Sequence, residues 1–186
     1  MPVNKGSFDV GPDNGTLLVR TGRAGAASRM GHDLVLEATR WSAAIVVAAT
    51  PYGSAVTASV DASSLVVRDA SGGALALTDG QRGEIVRNIK EKVLKSSAHP
   101  TVTFRSITVS GDARGTSVSG ELTLAGVTRP VTLAVVADEQ ADAVVLTATT
   151  SIVQSEFGIK PFSAMLGALK VKDTVDITVD VRLPAD

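Results

Sequence analysis

The fold is decided by residues 120–133, GELTLAGVTRPVTL, which form two strand-like segments joined by a short connection that contains Gly126. Leu122 and Leu124 alternate with polar neighbours before the connection, and apolar residues alternate again after it. A period of two places every second side chain on the same face of a strand. The stretch therefore predicts a β-hairpin with one apolar face. Pro130 has no N–H for a hydrogen-bonded ladder, so we expect it to start the second strand.

The same alternation recurs along most of the chain. Segments rich in Val, Thr, Ile and Ala are separated by clusters of Gly, Asp, Ser and Pro at regular spacing, which is typical of an antiparallel sandwich or barrel. Strands are predicted over residues 7–10, 16–20, 33–40, 43–50, 54–61, 64–68, 101–109, 116–124, 130–137, 143–154 and 174–183. In the last segment the odd-numbered residues are all apolar and their neighbours polar, so one face of this strand should be buried.

One segment has the period of a helix instead. Apolar residues recur every four positions from Ile85 to Val93, with charged residues between them, which predicts an amphipathic helix over 79–95. Thr78 and Gln81 have the spacing of a capping box, in which each side chain accepts a hydrogen bond from a free amide of the first turn. We therefore expect an all-β fold with one inserted amphipathic helix.

Composition limits the classes of function. The chain has 186 residues, of which 44% are hydrophobic and 3% aromatic, so we expect one domain over 1–186 and a largely aliphatic interior. The formal net charge of −1 without a basic cluster argues against nucleic acid as a partner. The absence of cysteine excludes disulfides and thiolate chemistry. No apolar signal segment or membrane-spanning run is present, so we expect a cytoplasmic protein.

The two histidines are the candidates for polar chemistry. His32 precedes Asp33 and is either a general base oriented by a carboxylate or a structural residue at a strand entrance. Sequence neighbours on a strand point to opposite faces, which favours the structural role. His99 precedes Pro100 and is expected in a turn. Two histidines without cysteine leave most ligands of a zinc site to carboxylates, and no serine lies in a Gly-x-Ser-x-Gly motif, so we predict neither a metal nor a cofactor.

Two glycine-containing regions remain. Residues 22–27 lack the Lys and Ser or Thr of a phosphate-binding loop and are predicted to be a flexible loop. Residues 163–169 are predicted to contain a short helical turn. Four large apolar residues in and before this second region either cover the mouth of a cavity as a lid or fill the core; they are Phe157, Phe162, Met165 and Leu166.

Four blocks of sequence resemble one known family in the order in which they occur. They are residues 60–65 (VDASSL), 99–106 (HPTVTFRS), the hairpin of 120–133, and 147–152 (TATTSI) leading into 155–159 (SEFGI). In these blocks the chain resembles the YceI-like family of lipocalin-like, polyisoprenoid- and lipid-binding proteins. The resemblance implies an antiparallel lipocalin-like β-barrel of about eight strands with one inserted α-helix. It also implies non-enzymatic binding of a polyisoprenoid or another long-chain apolar lipid inside the barrel.

The alternation and the resemblance together predict which side chains contact such a ligand. We expect these to be Leu34, Leu36, Phe104, Leu122, Leu124, Leu133, Phe157 and Phe162, with Thr103 or Arg105 near a head group. Two other functions stay open: an interaction module whose barrel is filled by its own side chains, and an enzyme that uses His32 with a carboxylate. Edge strands of such a barrel can also pair in a homodimer.

Overall fold

The computed structural model describes residues 4–112 and 115–184 and shows an antiparallel β fold. Its strands are β1 (Gly6–Val10), β2 (Gly15–Thr21), β3 (Arg23–Ala24), β4 (Asp33–Ala38), β5 (Trp41–Val47), β6 (Ala55–Asp61), β7 (Leu65–Ser71), β8 (Thr101–Asp112), β9 (Gly115–Leu124), β10 (Val127–Glu139), β11 (Ala143–Val153), β12 (Ser163–Ala164), β13 (Leu169–Val171) and β14 (Thr174–Pro184). Eleven strands form one curled sheet in the order β1-β5-β6-β8-β9-β10-β11-β14-β2-β4-β7. The short strands β12, β13 and β3 form a second sheet.

Each of the eleven segments that alternation predicts overlaps a strand of the main sheet. The expected number of about eight is therefore wrong, and the sheet is a half-barrel of eleven strands. Two long strands of the chain are bent in the middle, which divides each of them into two. The three strands of the small sheet were not predicted: residues 22–27 contain β3 and are not a free loop, and residues 163–169 contain only one turn of 3₁₀-helix (Met165–Gly167) between β12 and β13.

A bent hairpin curls the main sheet. Strand β4 pairs with β7 and β5 pairs with β6, so residues 33–47 and 55–71 are the two arms of one long hairpin. Where the arms bend, Thr39 N donates to Ser64 O at 3.1 Å, which continues the ladder between them. The pair β4 and β7 ends the sheet on one side, whereas β5 and β6 lie near its other end. The bend therefore brings the two ends of the sheet together.

Polar side chains fix the bend. The Arg40 guanidinium lies 2.8 Å from Asp61 Oδ2, and Asp61 Oδ1 accepts hydrogen bonds from the Ser63 amide and hydroxyl at 2.8 and 2.7 Å. The hydroxyl of Ser63, the Arg40 guanidinium and the Ser63 amide together lower the pKa of Asp61 from 3.8 to about 2. Asp61 is thus ionised at neutral pH and holds both arms of the hairpin at the corner.

The hairpin of β9 and β10 has the two-residue turn that its sequence favours. Ala125 and Gly126 both have positive φ, 50° and 78°, which matches the twist of the flanking strands. A side chain at Gly126 would also meet the His99 ring, because a Cβ there would lie 2.8 Å from Cε1. The second strand starts at Val127, so Pro130 lies inside it and the prediction that it starts the strand is wrong. Strand β11 pairs with β10 only from residue 134 onward, so Pro130 has one hydrogen-bonded neighbour strand and tolerates the missing N–H.

Helix α1 (Asp79–Asn88) starts at the predicted capping box and continues as a wider π-helical turn over Ile89–Val93. The Gln81 amide donates to Thr78 Oγ1 at 3.3 Å and the Thr78 amide donates to Gln81 Oε1 at 2.9 Å. No helix of the described residues is long and apolar enough to cross a membrane.

Two buried clusters support the interior. The first lies at the bent hairpin and centres on Trp41 and Leu183, which are 7% and 1% exposed. The second joins Phe157 and Ile159 to residues of β9, β11 and β14. Residues of both clusters border an open space inside the curled sheet.

Candidate functional site

A cavity of about 970 Å³ occupies the interior of the curled sheet. Its wall consists mainly of aliphatic side chains from β2, β4, β5, β6, β8, β9, β10, β11 and β14. Every second residue of β14 lies in this wall, as the alternation predicts: Val175, Ile177, Val179 and Val181. The volume lies at the upper end of the range for sites that enclose an organic ligand, about 300–1,000 Å³. The interior is therefore not filled by the protein's own side chains.

Seven of the eight predicted contact residues lie in this wall: Leu34, Leu36, Phe104, Leu122, Leu124, Leu133 and Phe162. Phe157 does not. It is 2% exposed and packs in the second cluster, because a 3₁₀ turn over Gln154–Phe157 follows β11 and ends at Gly158 with a φ of 70°. The two head-group candidates, Thr103 and Arg105, are both exposed on the same face of β8; Thr103 borders the cavity and Arg105 does not.

The wall also contains residues that the sequence reasoning missed. Ala43, Ala58 and Ala148 lie where neighbouring strands approach the cavity, and their small side chains leave room for its volume. The helix contributes Ile85 and Ile89, together with Asn88, Val93 and Leu94 near its end. The strand alternation marks the alanines as inward, and the four-residue period marks the isoleucines. Neither signal distinguishes a cavity wall from a packed core.

Polar groups occur mainly at the ends of the cavity. Ser54, Thr116 and Glu139 border it near the ends of β6, β9 and β10, whereas Thr21 and Asn88 border it at the opposite ends of the strands. Trp41 Nε1 and Thr21 Oγ1 are buried and find no hydrogen-bond partner among residues 4–112 and 115–184. An unpaired buried polar atom costs about 1–3 kcal/mol, so both atoms favour a ligand or water that offers a hydrogen bond.

His32 does not form the catalytic pair of the enzyme hypothesis. A ring nitrogen, Nε2, lies 2.8 Å from the Leu75 carbonyl oxygen, and the ring packs against Gly73 outside the cavity. The neighbouring carboxylate of Asp33 instead accepts from the Arg23 amide at 2.8 Å and faces the Arg23 guanidinium at 3.7 Å. Within residues 4–112 and 115–184, no three His, Cys, Asp or Glu side chains are arranged to hold a metal ion.

Solved structures share this architecture. BcnA from Burkholderia cenocepacia superposes with a TM-score of 0.69 at 14% sequence identity, covering 90% of this chain and 95% of that one. The YCEI protein of Campylobacter jejuni gives a TM-score of 0.64 at 14% identity, covering 81% and 84%. A polyisoprenoid-binding domain from Saccharophagus degradans, implicated in plant cell wall breakdown, gives 0.57 at 13% identity, covering 92% and 94%. At such identities the likeness shows the fold.

The sequence itself carries the family assignment. A comparison with curated proteins finds no match. The family model of the YceI-like domain, however, matches residues 23–183, which include the bent hairpin, the helix and nearly the whole wall of the cavity. The chain therefore belongs to the YceI-like domain family.

Proposed function

We propose that this protein binds a long apolar lipid, of polyisoprenoid or similar type, inside the curled sheet, and that it acts as a carrier without catalysing a reaction. The cavity carries this proposal, because it has a continuous aliphatic wall and polar groups mainly at its ends. An extended hydrocarbon fits such a wall, and each buried CH₂ contributes about 0.8 kcal/mol to binding. The structural likeness to a polyisoprenoid-binding domain supports the same class of ligand.

The alternative of an interaction module with a filled interior is disfavoured by the volume of the cavity. The enzyme alternative is disfavoured by the position of His32, whose ring bonds to a backbone carbonyl. A carrier requires only that the ligand be held and released, and the aliphatic wall meets that requirement.

The test combines native mass spectrometry with a matched pair of variants. Protein purified from its host is first measured intact and then extracted with organic solvent, so that any bound lipid is identified. Stripped protein is next titrated with a fluorescent polyprenyl probe. Ala58→Phe places a ring in the cavity, whereas Ser59→Phe places the same ring on the outer face of β6.

We expect the probe to bind the wild-type chain and Ser59→Phe alike, and to bind Ala58→Phe at least tenfold more weakly. Both variants should keep the circular dichroism spectrum of the wild type. Equal binding by the two variants would refute the cavity as the binding site. Failure of the stripped wild-type chain to bind any polyprenyl or acyl probe would refute the carrier function.

A further inference from the structure

Four large apolar side chains are exposed to solvent at one end of the molecule. They are Met30, Leu75, Met165 and Leu166, and Leu166 is fully exposed. We call these four residues the apolar rim. Single exposed apolar residues are ordinary on a protein surface, but a group of them on adjoining loops marks an interaction site.

The three segments that carry the apolar rim are joined to one another. Strand β3 pairs with β13, and the Ala27 amide donates to the Ala168 carbonyl at 2.8 Å, which joins the loop of Met30 to that of Leu166. The bond between the His32 ring and the Leu75 carbonyl joins the third segment. The four side chains therefore belong to one end of the fold and not to scattered positions.

The backbone holds the outermost residues in an unfavourable conformation. Met165, Leu166 and Gly167 all have left-handed φ values of 53°, 56° and 87°. Such values are uncommon for bulky residues, and strained positions of this kind cluster at functional sites. A hydrogen bond from the Ala168 amide to the Met165 carbonyl at 3.1 Å closes the turn that presents Leu166 to solvent.

The surface around the apolar rim is basic. Residues 22–32 and 157–172 contain five basic residues and no acidic ones: Arg23, Arg29, Lys160, Lys170 and Lys172. The nearest acidic residues along the chain are those just outside these two ranges, Asp33, Glu156 and Asp173, and Asp69 and Asp79 on either side of the Leu75 segment. Among the described residues only Arg23 of the five basic residues has a carboxylate partner, Asp33. The opposite ends of the strands carry acidic residues instead, including Asp138, Glu139 and Asp142. Although the net charge is −1, this end of the molecule attracts anions.

We propose that the apolar rim docks on the surface of an anionic lipid bilayer, with Met165 and Leu166 inserted among the lipid head groups and the surrounding cations facing their phosphates. A few apolar tips ringed by Lys and Arg are the pattern of interfacial membrane binding. Thr21, Leu34 and Phe162 of the cavity wall adjoin the same segments, so a docked molecule presents this end of its cavity to the bilayer.

Vesicle co-sedimentation tests the proposal with the full chain. Phosphatidylcholine vesicles are used with and without phosphatidylserine, at low and at high salt. We expect the protein to bind only the vesicles that contain phosphatidylserine, and the binding to weaken as salt screens the charges. The variant Met165→Asn with Leu166→Asn should bind at least about tenfold more weakly, because two apolar insertions are lost. Asn adopts left-handed φ more readily than Met or Leu, so this variant should fold.

Control variants elsewhere on the surface test whether binding depends on where the changed residues lie or only on their chemistry. Tyr52→Asn removes a large aromatic side chain that is 82% exposed and lies far from the apolar rim, and this variant should bind like the wild type. Arg29→Glu with Lys170→Glu should abolish binding, whereas the same charge change at Lys5 and at Arg182, which lies beside Asp142 at the opposite end, should leave most of it. Wild-type protein that ignores anionic vesicles, or rim variants that bind as well as their controls, would overturn the proposal.

Docking rests on surface residues, so its outcome is independent of the lipid-carrier function. Ala58→Phe should bind vesicles like the wild type even though it loses the polyprenyl probe. Loss of probe binding by every form of the protein, with vesicle binding retained, would overturn the carrier function alone.

Discussion

The variant Ala148→Phe measures whether the cavity limits the length of the bound chain. Ala148 lies in the wall on β11, opposite Val179 of β14, and its methyl group faces the interior. A phenyl ring at this position fills space that the ligand would otherwise occupy. In a close-packed site the ring displaces about four methylene groups of the ligand. Because each buried CH₂ contributes about 0.8 kcal/mol, a ligand that fills the wild-type cavity should lose about 3 kcal/mol, or about two orders of magnitude in Kd.

The assay is a titration with straight-chain alcohols of increasing length, followed by displacement of a fluorescent probe. In the wild-type chain, affinity should rise about fourfold with each added CH₂ until the cavity is full, and then level off. In Ala148→Phe the rise should have the same slope and should end about four carbons earlier. Short alcohols should therefore bind both proteins equally, which separates loss of space from loss of folding.

The matched control is Thr149→Phe, which adds the same ring to the exposed face of β11, one residue along the chain. Its length profile should coincide with that of the wild type. If Ala148→Phe keeps the length limit of the wild type, or if Thr149→Phe shortens it equally, the conclusion that the cavity limits the length of the bound chain would be refuted.

Three further predictions concern the fold that holds the cavity. Gly126→Val should lower the free energy of unfolding by about 2 kcal/mol or more, because position 126 has a positive φ and a side chain there would meet the His99 ring. Gly83→Ala should raise the free energy of unfolding by about 0.5–1 kcal/mol, because the space around Gly83 in α1 is open. Urea titrations that give the two variants the same stability would contradict this. The pKa of Asp61 is lower in the folded chain than in the unfolded chain, so its ion pair and hydrogen bonds stabilise the fold above pH 4 and lose this effect as the pH falls toward 2. Because the side chain is 37% exposed, we expect it to contribute about 1 kcal/mol to the free energy of unfolding. Asp61→Asn should remove this contribution, so a plot of stability against pH should fall less steeply between pH 4 and 2. Thr78→Ala should cost about 1 kcal/mol through loss of the capping box, detected by thermal unfolding, while the serine variant should cost much less.

Local patterns in the sequence predicted the strands because one face of each strand is buried. Alternation over 174–183 identified the inward residues of β14, and the capping box located the first residue of α1. The same reasoning could not locate β3, β12 and β13, which contain two or three residues and are too short to show a period. Strand β12 pairs with the nearby β13, but β3 pairs with β13 across almost 150 residues, and no local signal reveals that pairing.

The bend of the long hairpin also escaped the sequence reasoning. Trp41 and Leu65 begin strands that continue earlier ones at a corner, and the strand count implied by the family resemblance did not separate them. The position of Phe157 was also predicted wrongly, because a 3₁₀ turn breaks the alternation after β11. This turn directs the Phe157 side chain into the second cluster and not into the cavity. The chemistry of a hydrophobic side chain predicts that it is buried. Whether it faces a cavity or a packed cluster depends on the tertiary path of the chain.

The cavity also sets an expectation for stability. At about 970 Å³ the cavity has room for many water molecules, each of which takes about 30 Å³ in the liquid. The interior must therefore be occupied by water or by a ligand in solution, and an apolar ligand stabilises the fold by making the contacts that water does not. At a ligand concentration of 100 times Kd, the gain is about 2.7 kcal/mol, which for a chain of this size raises Tm by about 5–10 °C. Stripped protein that is reloaded with a polyprenyl lipid should show this rise, and Ala148→Phe should show a much smaller one at the same lipid concentration. A Tm that is unchanged on loading, or that rises equally in both proteins, would mean that the lipid stabilises the chain from somewhere other than the cavity.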